Sequence, residues 1–130
     1  MGVRWPGNAN KDLQTNSVDA TVATTVLITE PLNTSIDNAR VLLLWYVALS
    51  LGADLTNVVV NLYRGTDTTG TQLTRTSQAD VGAGPAVVMS GVYIDDVGIA
   101  ADTRWNIGVT TQGGADASTV TDGCIAVIGL

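Results

Sequence analysis

The stretch Arg40–Leu51, RVLLLWYVALSL, constrains this chain more than any other. Read with the two-residue period of a strand, Val41, Leu43, Trp45, Val47, Leu49 and Leu51 share one face, and Leu42, Leu44, Tyr46, Ala48 and Ser50 share the other. Both faces are apolar. An antiparallel strand with one wet face alternates oily and polar residues, so this strand needs cover on both sides, from a second sheet and from something else. A continuous apolar run also fits a buried helix on periodicity alone, but its Thr- and Val-rich, Gly-punctuated neighbours favour sheet.

Composition says where the second cover comes from. The 130 residues have the length of one domain, which buries roughly two-thirds of its unfolded surface. Apolar residues make up 45% and charged residues only 14%, against an ordinary charged share of ~25%. So few charges clothe a lone monomer poorly, and a homo-oligomer with large apolar interfaces is expected. The formal charge is −6, and eleven of the twelve acids are aspartate, a residue of turns and caps. Five arginines and one lysine form no basic cluster, which argues against gripping nucleic-acid phosphates. No run of 18 or more apolar residues and no signal-like apolar core occur, so neither membrane insertion nor export is expected.

Along the chain, residues 1–20 are polar and aperiodic and read as an extended N-terminal arm with Trp5 as its anchor. Thr21–Glu30 is a first strand, ended by Pro31. After the organising strand and a turn at Gly52-Ala53-Asp54, Asn57–Arg64 alternates Val58, Val60 and Leu62 against a wetter face of Val59, Asn61 and Tyr63. The turn Gly65–Gly70 leads into Thr71–Thr76, polar and short as an edge strand should be. The loop Asp80–Pro85 feeds a strand over Ala86–Ile94, and a second loop, DDVGIAAD, follows it. Thr103–Gln112 points Trp105, Ile107 and Val109 inward, Gly113-Gly114 breaks it, and Ser118–Leu130 is again apolar on both faces, as befits a strand central in its sheet. Seven or eight short strands with turn signals between them predict an all-β fold: an antiparallel β-sandwich of jelly-roll type over 21–130, preceded by the arm.

The residues for catalysis are largely missing. With no histidine, Ser-His-Asp and Cys-His arrangements are excluded. Asp95, Asp96 and Asp102 could be nominated as paired carboxylates or as oxygen ligands for a cation, but adjacent strand residues point to opposite faces and the spacing matches no calcium loop. A solvated turn is the simpler reading, and no cofactor is expected. Cys124, alone in GCIAVIGL, packs as a small hydrophobe. Trp45 and Tyr46 suit core and interface better than a sugar platform.

The run RVLLLWYVALSLGADLTNVVVNLYRGTDTTGTQL, followed by a Gly-rich loop and a terminal apolar strand, resembles the trimeric, tumour-necrosis-factor-like jelly-roll proteins that decorate heads or cap fibres of tailed viruses. The likeness spans about residues 20–130 and rests on the strand pattern and the RGTDTTGT turn. It implies a non-enzymatic virion protein: a decoration or cement protein that trimerises, binds the major capsid protein at the capsid surface and stabilises the head. The alternative is a receptor- or glycan-binding head module of a fibre or spike. On this reading Leu42, Leu44, Tyr46, Ile125 and Val127 form the oligomer interface, and Arg4, Trp5 and Lys11 of the arm touch the capsid.

Overall fold

The structure is a computed structural model that describes residues 7–10, 17–18, 24–29, 39–50, 57–79, 87–100, 102–112 and 118–130. The expected positions of Leu51, of the turn at 52–54, of the loop at 80–85 and of the break at 113–114 lie outside the described residues. Among the described residues there are nine strands: β1 (Gly7–Asn10), β2 (Ser17–Val18), β3 (Thr24–Ile28), β4 (Ala39–Ser50), β5 (Asn57–Arg64), β6 (Thr71–Ala79), β7 (Val87–Ile99), β8 (Trp105–Gln112) and β9 (Ser118–Gly129). Every pairing is antiparallel. One sheet has the order β1-β9-β4-β7, with β2 also on β9, and the other the order β3-β8-β5-β6.

The pairings nest. β5 pairs with β6, β4 with β7, β3 with β8, and β2 with β9, as in a two-stranded ribbon folded at the 65–70 turn. The ribbon then curls on itself, so that β4 meets β9 and β5 meets β8. That is the jelly roll, in which every connection except β1–β2 and the β5–β6 hairpin passes from one sheet to the other. Of the N-terminal twenty residues, 7–10 and 17–18 lie as short strands along β9.

The core between the sheets follows the strand period. Val41, Leu43, Trp45, Val47 and Leu49 of β4 are buried against Val58, Val60 and Leu62 of β5, Trp105, Ile107 and Val109 of β8, and Val120, Ile125 and Val127 of β9. In β3 both Val26 and Leu27 are buried, because a bulge between Thr25 and Leu27 breaks the simple alternation. β6 is the edge of its sheet and mostly polar, as expected, but it runs on to Ala79 rather than ending at Thr76, and its Leu73 packs against the core.

Two expectations need correction. The wetter face of β5 is not wet: Val59, Asn61 and Tyr63 are buried too. Part of the reason is that the 65–70 turn folds back over that face, where a Cβ at Gly108 would stand 2.6 Å from the Thr68 methyl and 3.0 Å from the Tyr63 ring. The turn holds this position through Asn106, whose Nδ2 donates to the carbonyls of Gly65 (3.0 Å) and Asp67 (2.9 Å). Its glycines are required: Gly65 has φ +139°, and a Cβ at Gly70 would strike the Arg64 carbonyl oxygen at 2.3 Å. Asp67, fully exposed, accepts from the Thr69 hydroxyl and backbone N–H, and these bonds hold its carboxyl below the usual range.

The second correction concerns Asp95 and Asp96, which are part of β7 rather than of a loop. The strand continues because Asp95 turns its carboxylate inward to partners and Asp96 turns outward.

β4 and β7 approach closely at Trp45 and Gly91, which are direct cross-strand partners. A Cβ on Gly91 would lie 2.7 Å from Cζ2 of the indole. The ring is clamped in the core and cannot move aside freely. Gly91→Ala is therefore expected to cost about 1–3 kcal/mol by overpacking, measurable by chemical denaturation; unchanged stability would show that the indole has room to shift.

Candidate oligomer interface

Among the described residues, nothing covers the outer face of the β1-β9-β4-β7 sheet. On β4 it presents Leu42, Leu44, Tyr46 and Ala48, on β7 Val88, Ser90, Val92 and Ile94, and on β9 Cys124, Ala126 and Ile128. Leu44, Val88, Val92 and Ile94 are 41%, 64%, 62% and 52% exposed. Four large hydrophobes on two neighbouring strands make a contiguous apolar patch, the usual mark of a surface that meets another molecule. Small residues in the middle, Ser90, Cys124 and Ala126, form the floor of a shallow hollow between Leu44, Tyr46 and Val92.

The sequence-expected interface splits. Leu42, Leu44 and Tyr46 do lie on this face. Ile125 and Val127 do not: both are buried in the core. The register explains it, since Ile125 pairs with Trp45 and Val127 with Leu43, and direct cross-strand partners share a face. Their neighbours Cys124, Ala126 and Ile128, opposite Tyr46, Leu44 and Leu42, take the outer positions instead. In a strand apolar on both sides, hydrophobicity cannot choose the face and only the pairing register can. Arg4, Trp5 and Lys11, the expected capsid contacts, lie outside the described residues.

Among the described residues, charge on this face lies at its two ends. At one end are Arg40 and Asp96, both exposed. At the other is Asp122, whose Oδ2 accepts from the Tyr46 hydroxyl at 3.1 Å.

Just beneath the Arg40 end, a polar cluster closes the sandwich. Asp95 is wholly buried and accepts two bonds from the Arg64 guanidinium, one of them from Nε at 2.7 Å. It also accepts from the Trp105 indole N–H at 2.9 Å. The hydrogen bond to Asp95 raises the Arg64 pKa above its ordinary value. Residues of β5, β7 and β8, from both sheets, thus meet at one carboxylate. Sequence reading placed Asp95 with Asp96 and Asp102 as a solvated turn, and the missed signal was its position two residues beyond Tyr93, in phase with the inward row Met89, Gly91, Tyr93. Asp95 is spoken for by Arg64 and Trp105, and no group of three or more possible metal-ligating side chains occurs among the described residues. No described helix is long and apolar enough to cross a membrane.

No protein-family model and no curated protein matches the chain. Among solved structures, it is similar to a chain in the structure of the infectious bursal disease virus Gx strain, with a TM-score of 0.59 at 15% identity. That likeness covers 97% of this chain and 33% of the other, so this chain spans about a third of the length of the viral one. It is also similar to Eiger TNF from S. frugiperda, with a TM-score of 0.48 at 13% identity, covering 97% of this chain and 92% of that one. The fold is an antiparallel jelly-roll β-sandwich, and at these identities the likeness speaks to fold alone.

Removing either partner of the buried cluster has an ordered outcome. Arg64 is 24% exposed and can turn to water, whereas Asp95 cannot. Arg64→Met, which strands a buried carboxylate, is expected to cost about 3–5 kcal/mol. Asp95→Asn, which keeps an acceptor for Trp105, is expected to cost about 1–3 kcal/mol. Urea denaturation of both variants checks this, and the reverse order would show that Asp95 reaches solvent.

Proposed function

We propose that this is a non-enzymatic structural protein of a virion, a head decoration or cement protein of a tailed virus that forms a homotrimer and binds the major capsid protein. The carrying observation is the exposed apolar face over Leu44, Val88, Val92 and Ile94 on a jelly-roll scaffold. The fold's likeness to a chain of a virus particle supports the virion setting. Covering this face among sister copies answers the shortage of surface charge in the sequence. The bound trimer stabilises the shell by mass action, because a ligand that binds only assembled capsomers raises the free energy of opening by RT ln(1 + [L]/Kd) per site.

Light scattering on the full chain tests the association, and mixing it with decoration-free heads of the same virus tests the partner. The expected mass is three times the 13.4 kDa of one chain, with co-sedimentation on heads and a raised temperature of head disruption. Val92→Asp, at an exposed position that is free to hold a charge in the monomer, is expected to leave a folded single chain, because association would bury an unpaired carboxylate. A wild-type monomer that ignores heads would overturn the reading.

A further inference from the structure

We propose that the outer face carries its own alignment device: Arg40 of one copy pairs with Asp96 of the next, so that the copies associate with their strands running the same way around a cyclic axis. The inference rests on the homotypic reading above and names the contact that sets its geometry.

The two residues lie together at one end of the apolar face. Arg40 heads the outward row of β4 that continues through Leu42, Leu44 and Tyr46, and Asp96 ends the outward row of β7 that contains Val92 and Ile94. Both are exposed, and neither is held in an ion pair with another described residue; the pair formed there is Arg64 with Asp95, on the core side. The far end carries Asp122, bound to the Tyr46 hydroxyl and level with Ala48. Among the described residues, the face thus has a cation and an anion at one end and an anion at the other.

A reversed association brings the Arg40 end against the partner's far end, gathering two carboxylates, Asp96 and Asp122, around a single guanidinium. Association in the same direction avoids this. Closure into a ring requires a head-to-tail contact, in which the β7 side of one copy meets the β4 and β9 side of the next. At the charged end that contact brings Asp96 to Arg40. At the far end it brings Asp122, already bonded to Tyr46, against the uncharged stretch Val88–Ser90. The apolar centre supplies the attraction, and the charges choose the orientation.

The test is the concentration dependence of mass for the full chain carrying Arg40→Asp, Asp96→Arg or both. Each single reversal puts like charges together and is expected to weaken assembly by about tenfold or more, whereas the double exchange returns it to within about threefold of wild type. Arg40→Gln, which removes charge without reversing it, is expected to weaken assembly less than Arg40→Asp. If wild type assembles but the single reversals assemble equally well, or the double exchange is no better than the weaker single, the pairing is overturned while the interface stands. A wild type that stays monomeric overturns the interface and the pairing together.

Discussion

The described structure is arranged around a strand with two apolar faces, one buried and one open. β4 runs through the middle of its sheet, hydrogen-bonded to β9 on one side and β7 on the other, and its inward row is completely covered by the opposing sheet. A jelly roll has only two layers, so it can cover each sheet once. The outward row of β4 has no third layer among the described residues, and its neighbours on β7 repeat the same chemistry at Val88, Val92 and Ile94. The apolar composition that fills the sandwich core is therefore also what coats its outer face.

The other sheet is built differently. Its outer side carries Asn61, Tyr63, Asn106 and Thr110, all buried, with the 65–70 turn folded over Gly108 and tied down by Asn106. Its edge strand β6 is mostly polar. Among the described residues, one face is finished by the chain itself and the other stands exposed. Between them sits the Asp95 carboxylate, which locks β7 to β5 and β8 close to the open face. A buried charge of this kind contributes more to fixing one register than to net stability, since its desolvation offsets much of the attraction.

Most of the fold was legible in the sequence, because the two-residue period sorts residues whenever the two faces differ. β5 has the same bounds in pattern and structure, and β8 turns Trp105, Ile107 and Val109 inward as its alternation says. The pattern fails where the two faces are alike. β9 is apolar on both sides, so its interface positions slipped by one residue to Ile125 and Val127, and pairing with β4 corrected them to Cys124, Ala126 and Ile128. It fails again where a polar residue is paid for by a distant partner: Asp95 reads as a turn until Arg64, 31 positions away, is seen beside it.

The central claim, that sister copies cover the outer face of β4, β7 and β9, is tested most directly by the reactivity of the free thiol of Cys124. This thiol lies half-buried on that face and within its hollow. Titration of the wild-type protein with a thiol reagent over a range of protein concentrations is expected to give slow labelling when concentrated and progressively faster labelling on dilution. A fast rate that is the same at every concentration would show the face open to water, and would contradict the account.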